Sequence, residues 1–207
     1  MKKYPSIPRF SKEFIGKKCI SFYKLDGSCL ACEWSAKKGF HKWSTRNHLF
    51  DENDRDFGCA IPIFNQKYAN DFAKVIKTYK AESVILFMEF LGPNSFAGIH
   101  EPSVLGVKNN DPKDLVVFDV NVHKKGILSP VEFINKFGHL NIAKKIYEGI
   151  LTIDFVSKVR NKELPVEEGV VCKFGEGHKL QMCKIKTLDY LKKIQKFFGT
   201  NWSHHWE

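Results

Sequence analysis

Three sets of side chains in this sequence have types and spacings suited to chemistry. The first is Lys24-Leu25-Asp26-Gly27. On the two-residue alternation of a strand, Ile20, Phe22 and Lys24 share one face, while Cys19, Ser21 and Tyr23 share the other. A lysine stem is thus aimed where two apolar residues point. Such surroundings disfavour the charged form, and an uncharged amine can attack carbon or phosphorus. Gly27 tolerates a tight turn and lets a bulky ligand approach the backbone. Taken alone, the tetrapeptide also reads as a snorkelling lysine before an ordinary Asp-Gly turn. The second set is Lys184 and Lys186, two apart on one strand and so on one face. That spacing suits two ammonium groups lying along a polyphosphate, and equally an exposed basic strand. The third set is acidic. Glu89 shares a face with Ile85 and Phe87, and an acceptor-only carboxylate there suits hydroxyl groups. Glu168, with Glu167 beside it, is a hard oxygen donor fit for a divalent cation. Strict alternation sets Lys173 on the face opposite Glu168 unless Gly169 breaks the parity.

The elements that must position these groups follow from periodicity and turn chemistry. Residues 18–24, 28–35 and 40–46 read as a strand meander broken at Asp26-Gly27 and Lys38-Gly39. Residues 68–80 have helical spacing, with Phe72, Val75, Ile76 and Tyr79 on one side. A long buried strand is predicted over 82–92, and 115–122 is apolar on both faces, as in the centre of a sheet. Ser129-Pro130-Val131-Glu132 is a helix start, and two or three short helices are predicted between 130 and 161. Strands at 167–174 and 178–186 flank a Gly175-Glu176-Gly177 turn, and Thr187 caps a last helix over 188–198. The expected fold class is α+β, a single domain over 1–207 built on antiparallel sheets flanked by helices.

Composition narrows the partners. The formal net charge is +10, spread along the chain, which points to a polyanion such as nucleic acid or nucleotide phosphates. No apolar run approaches the roughly 20 residues that span a bilayer, so no membrane partner is expected. The first residues, MKKYPSIPRFSKEF, lack the apolar stretch of a secretory signal. The six cysteines sit largely in apolar runs and read as reduced thiols of an intracellular, cytoplasmic protein. Cys29-Leu-Ala-Cys32 has no second cysteine pair at zinc-knuckle spacing, so no metal site is read from it.

Lys24-Leu25-Asp26-Gly27-Ser28 resembles motif I of the covalent nucleotidyltransferases: RNA ligases, ATP-dependent DNA ligases and mRNA capping enzymes. The other motifs follow in the family's order. Thr45-Arg46-Asn47 resembles motif Ia, Glu89-Phe90-Leu91-Gly92 motif III, and Phe118-Asp119-Val120 motif IIIa. Glu168-Gly169-Val170-Val171-Cys172-Lys173 resembles motif IV, and Lys184-Ile185-Lys186 motif V. The likeness runs over roughly residues 15–190, and short fragments in order weigh more together than singly. It implies a nucleotidyltransferase (ATP-grasp-like) domain that uses ATP with Mg²⁺ or Mn²⁺. Lys24 would be the nucleophile that takes AMP, with Lys184 and Lys186 on the phosphates. Asp26, Gly27, Arg46, Glu89, Phe118 and Lys173 would bind nucleotide, and Glu168 the metal. Within that reading Glu89 meets the ribose, Phe118 stacks on adenine with Phe90 and Phe96 as rivals, and Arg46 holds a phosphate. Asp119 reads as structural.

Two departures bear on the substrate. Only 21 residues follow Lys186, too few for the oligonucleotide-binding barrel that follows motif V in DNA ligases and capping enzymes. No OB domain is therefore expected, and an RNA ligase acting on RNA ends or nicks is favoured. The missing C-terminal region implies an additional substrate-binding protein in its place. Motif I also has Phe22 where many relatives carry glutamate. The competing readings are a DNA ligase or capping guanylyltransferase core, and a non-catalytic nucleic-acid-binding module on a ligase fold.

Overall fold

The computed structural model describes residues 1–100 and 113–205. The chain divides into two compact units, Met1–Tyr4 with Asp26–Ile142, and Pro5–Leu25 with Ala143–Glu207.

The first unit is a six-stranded antiparallel sheet. Its strands are β2 (Ser28–Ser35), β3 (Gly39–Ser44), β4 (Leu49–Phe50), β5 (Ser83–Leu91), β6 (Asp114–Val122) and β7 (Gly126–Ile127), in the order β4-β3-β2-β5-β6-β7. Pairing of Leu30 with Met88, Cys32 with Leu86 and Trp34 with Val84 puts these side chains on one face. The helices α1 (Ala60–Lys67), α2 (Ala69–Lys77) and α4 (Pro130–Phe137) supply Phe64, Phe72, Phe133 and Phe137 to the same core, all fully buried. Rings link them: Trp43 to Phe64 at 5.4 Å, Phe64 to Phe72 at 6.0 Å and Phe72 to Phe137 at 6.0 Å. Each such phenylalanine contributes about 2–3 kcal/mol by leaving water. The opposite face carries Cys29, Ala31 and Glu33 beside Glu89, Phe87 and Ile85. A short helix, α3 (Phe96–His100), follows β5.

The second unit is a four-stranded antiparallel sheet, β10 (Gln181–Lys186), β9 (Gly169–Phe174), β1 (Lys18–Lys24) and β8 (Lys145–Ile150), in that order. Cys19, Val170, Cys172, Phe174, Cys183 and Ile185 form an apolar face covered by Phe155, Val156 and Val159 of α5 (Ile153–Arg160). The helices begin where hydroxyl caps allow. Thr152 accepts from Phe155 N–H, and Thr187 from Tyr190 N–H at the start of α6 (Leu188–Phe198). Each cap stabilises its helix by about 1 kcal/mol.

The α+β class, the antiparallel sheets and the flanking helices agree with the sequence expectation. Two short helices, α4 and α5, fall between 130 and 161 as expected. Two further elements were not foreseen. Residues 145–150 form β8, which pairs with β1. Their burial pattern is mixed, with Tyr147 and Ile146 half-buried, so the local period is faint. Helix α1 was not foreseen; Pro62 reads as a breaker but lies in the first turn, where its missing N–H costs nothing. Among the described residues no helix is long and apolar enough to cross a membrane.

Candidate active site

The lysines of the second unit converge on one sheet face. Cross-strand pairing sets Lys24 against Gly169 and Gly169 against Lys186. Phe22 faces Val171, which faces Lys184, and Ile20 faces Lys173, which faces Met182. Directly opposed residues of an antiparallel sheet share a face. Lys24, Lys173, Lys184 and Lys186 therefore all project from the side opposite the apolar core.

Glu168 joins them through a break in alternation. Gly169 has φ +147°, a conformation that side chains rarely adopt, and it begins β9. The residue before it is thereby turned to the lysine face. Glu168 Oε2 lies 2.9 Å from Lys24 Nζ and its Oε1 lies 2.9 Å from Lys186 Nζ. The Glu168 side chain is 2% exposed, Lys186 5% and Lys24 22%. One buried carboxylate thus holds two ammonium groups by charge-assisted hydrogen bonds. The backbone locks the arrangement: Thr187 N–H donates to Glu168 C=O at 2.9 Å, and Thr187 Oγ1 donates to Glu167 C=O at 2.8 Å. Lys173 Nζ sits over the Phe22 ring at 4.8 Å, a cation–π contact.

This geometry corrects one sequence inference. Alternation supplies Lys24 with an apolar neighbour, Phe22, but the group its amine meets is the Glu168 carboxylate. The turn at Gly169, the position at which the sequence allowed a break in parity, brings that charge in.

In the first unit, Asp26, Gly27, Arg46, Glu89 and Phe118 lie on or beside the face opposite the aromatic core. Asp26 Oδ2 is 3.0 Å from Nε2 of the fully buried His100. Gly27 packs directly on β5, where a Cβ would stand 2.4 Å from Phe90 O and 2.7 Å from Glu89 Cγ. Glu89 pairs with Cys29 and is half-buried. Phe118 is the extra residue of a β-bulge: Asp119 opposes Phe87 and Val117 opposes Met88. Its ring is therefore re-aimed, and it remains half-buried. Of its rivals, Phe90 is fully buried against Phe57 in the core, and Phe96 packs on His100 at 4.7 Å. Arg46 lies past the end of β3, in a turn held by Thr45 Oγ1 accepting from His48 N–H at 3.2 Å. Cys29 and Cys32, three apart on β2, point to opposite faces.

Two residues escaped the sequence reading. Tyr4 donates to Asp119 Oδ2 at 2.5 Å, with its ring 4.9 Å from Phe87 and 5.0 Å from Phe118. Burial, then the Asp119 carboxylate, push its phenol well above the ordinary value. No local signal marks a tyrosine near the N-terminus for a partner 115 residues away. His100 beside Asp26 is equally silent in sequence.

Among the described residues no group of three or more His, Cys, Asp or Glu is placed to hold a metal. A single buried carboxylate, Glu168, suits a hydrated hard cation that arrives with phosphate oxygens, not an all-protein cage.

A structural comparison sets this architecture among known folds. The chain shares its mixed α/β fold with solved RNA ligase structures. The Naegleria gruberi RNA ligase solved with PPi superposes with a TM-score of 0.66 at 17% identity, over 95% of this chain and 58% of that one. A glutamate-to-alanine variant of the same enzyme with AMP and Mn gives 0.63 at 17% identity, over 92% and 59%. A lysine-to-alanine variant with ATP and Mn gives 0.61 at 17% identity, over 88% and 52%. The chain spans little more than half the length of these structures. No family model matches the sequence, and no curated protein does.

Proposed function

We propose that this chain is the nucleotidyltransferase core of an ATP-dependent RNA ligase, with Lys24 as its nucleophile. The observation that carries the reading is the cluster in the second unit: Lys24 and Lys186 bound to one buried carboxylate, on the face that also carries Lys184. The neighbours that share the fold are RNA ligases, solved with ATP, AMP, Mn or PPi.

The reaction has three steps. The Lys24 amine gives up a proton and attacks the α-phosphate of ATP; the bond to the β-phosphate breaks and pyrophosphate leaves. AMP then passes from Lys24 to the 5′-phosphate of an RNA end. Last, a 3′-hydroxyl attacks that activated phosphate, forming the phosphodiester and releasing AMP. Charge builds on non-bridging oxygens throughout, so fixed cations and alignment are what the protein must supply. Lys184 and Lys186, two apart on β10, serve this role. Glu168 holds the Lys24 side chain toward the reacting face and is the residue to hold Mg²⁺ or Mn²⁺. When bound, that cation neutralises phosphate charge. Asp26, Gly27, Glu89 and Phe118 contact the nucleoside, Phe118 offering a bulge-presented ring for the base. Lys173 is spent on Phe22 and has a supporting part. The whole chain acts as one nucleotidyltransferase domain, with RNA ends or nicks as partner.

The test is incubation with labelled ATP or GTP and Mg²⁺, a denaturing gel, then nicked duplexes with RNA or DNA at the break. Label from ATP that stays on the protein, and sealing of the RNA nick, are expected. Labelling by GTP alone would move the chain to the capping enzymes, and sealing of DNA alone to DNA ligases. No label at all leaves a non-catalytic nucleic-acid-binding module.

A further inference from the structure

Residues 2–4 belong to the first unit and lie along the face opposite its aromatic core. Lys2 Nζ donates to Asn121 Oδ1 at 3.0 Å, and the Tyr4 hydroxyl donates to Asp119 Oδ2 at 2.5 Å. Asn121 and Asp119 are two apart on β6, paired with Ile85 and Phe87, and so share that face. The Tyr4 ring is buried there, 4.9 Å from Phe87 and 5.0 Å from Phe118. Burial, then the Asp119 carboxylate, push its phenol well above the ordinary value, so it stays protonated as a donor to Asp119 must. Tyr4 is thus a fixed ring, anchored at its tip and backed by Phe87.

Phe118 is the ring that stays accessible beside it. From Val117 to Val122 each residue of β6 is buried except Phe118, which is half-buried. It stands in the β-bulge of that strand, and a bulge re-aims its side chain out of the regular pleat. The direction of such a ring is set by what packs on it. Here Tyr4 does so, with the two ring planes at 78° in an edge-to-face contact. An aromatic side chain held in one orientation before a ligand arrives loses less rotamer freedom on binding, which strengthens the complex.

We propose that Tyr4 is a positioning residue for the nucleotide site: it holds the Phe118 ring in the orientation that stacks on the base. That a base stacks there rests on the ligase reading above; the hold of Tyr4 on Phe118 does not.

The test compares wild type, Tyr4→Ala, Tyr4→Phe, Phe118→Ala and the Tyr4→Ala/Phe118→Ala double variant. Calorimetry reads binding of an ATP analogue with a methylene group between the α- and β-phosphorus, which cannot transfer AMP. Labelled ATP with Mg²⁺ reads KM and the maximal rate of adenylylation, and urea unfolding confirms that each variant is folded. Tyr4→Ala should weaken analogue binding and raise KM about tenfold, part of what a base stacked on an aromatic ring contributes, with the maximal rate within about twofold of wild type. Tyr4→Phe keeps the ring and should bind as wild type does, while unfolding at lower urea for want of the bond to Asp119. In the Phe118→Ala background Tyr4→Ala should add no further loss, because it acts through that ring. Should Tyr4→Ala not fold, Tyr4→Leu, which fills the space without a rigid ring, carries the same comparison. The proposal is overturned by unchanged binding in Tyr4→Ala, by a loss in Tyr4→Phe as large as in Tyr4→Ala, by a loss that persists in the Phe118→Ala background, or by a wild type that does not bind the analogue. A wild type that binds the analogue yet takes no label from ATP would refute the ligase reading alone, and the Tyr4 comparison would still be read from binding.

Discussion

Replacing Gly169 by alanine should damage the site through the backbone, without removing any charged group. At φ +147° a side chain is strained, which costs about 1–3 kcal/mol. The added Cβ would also stand 2.0 Å from Ile185 O and 2.8 Å from Lys186 Cα. Both are backbone atoms of the paired strand β10, so no flexible side chain can move aside. Relieving the overlap means pushing β10 away, at a further cost of about 1–3 kcal/mol. Together these give about 2–6 kcal/mol, a large share of the roughly 5–15 kcal/mol that holds a typical domain. The displacement falls on the Lys186–Gly169 pair and on the 2.9 Å contact between Lys186 and Glu168. Urea unfolding of wild type and Gly169→Ala reads the stability, and labelled-AMP transfer to the protein reads the site. Unfolding free energies within about 0.5 kcal/mol of each other, the ordinary scatter of surface changes, would refute the reasoning.

Other expectations follow from the same geometry. Glu168→Gln leaves two ammonium groups facing each other. It should cost about 3 kcal/mol, the low end for a broken buried pair because Lys24 keeps part of its hydration. Its adenylylation should need more Mg²⁺; an unchanged metal titration would contradict the role given to Glu168. The thiols beneath the lysine face should be inert: a hydrogen bond with Cys183 pushes Cys172 up to about 12, and contact with Cys172 raises Cys19 further. At pH 8 both are protonated, so iodoacetamide should label half-buried Cys29 and Cys59 first and Cys19 and Cys172 only after unfolding, as mass spectrometry would show. Asp54 is held below its usual value, chiefly by Phe57 N–H at 2.8 Å with Asp56 N–H at 3.0 Å. A carboxyl depressed on folding stabilises above its ordinary range and loses that contribution as pH falls through the folded value. The stability gap between wild type and Asp54→Asn should therefore be open at pH 7 and narrow in acid; a gap independent of pH would count against it.

Much of the architecture is legible in the sequence because it rests on short-range periods. The alternation that sets Lys24 with Ile20 and Phe22 is the alternation of β1, and Ser129 and Thr187 start helices where their capping chemistry requires. The strand reading for Lys184 and Lys186 needs only their spacing. What periodicity misses is of three kinds. Gly169 breaks parity, so the meeting of Glu168 with Lys24 appears only once its φ is known. A bulge at Phe118 shifts the register of β6 against β5, which no local pattern marks. And long-range contacts, Tyr4 with Asp119 and His100 with Asp26, leave no trace in local pattern. Strand β8 was missed because tertiary pairing outweighs weak propensity, and helix α1 because Pro62 lies in its first turn.

The central claim is that the amine of Lys24 accepts adenylate. The direct measurement is peptide mapping by mass spectrometry after incubation with ATP and Mg²⁺, run beside a folded Lys24→Ala variant. The account predicts one AMP on the peptide containing Lys24 and none on the variant. AMP on any other lysine, or an adduct that persists in Lys24→Ala, would contradict it.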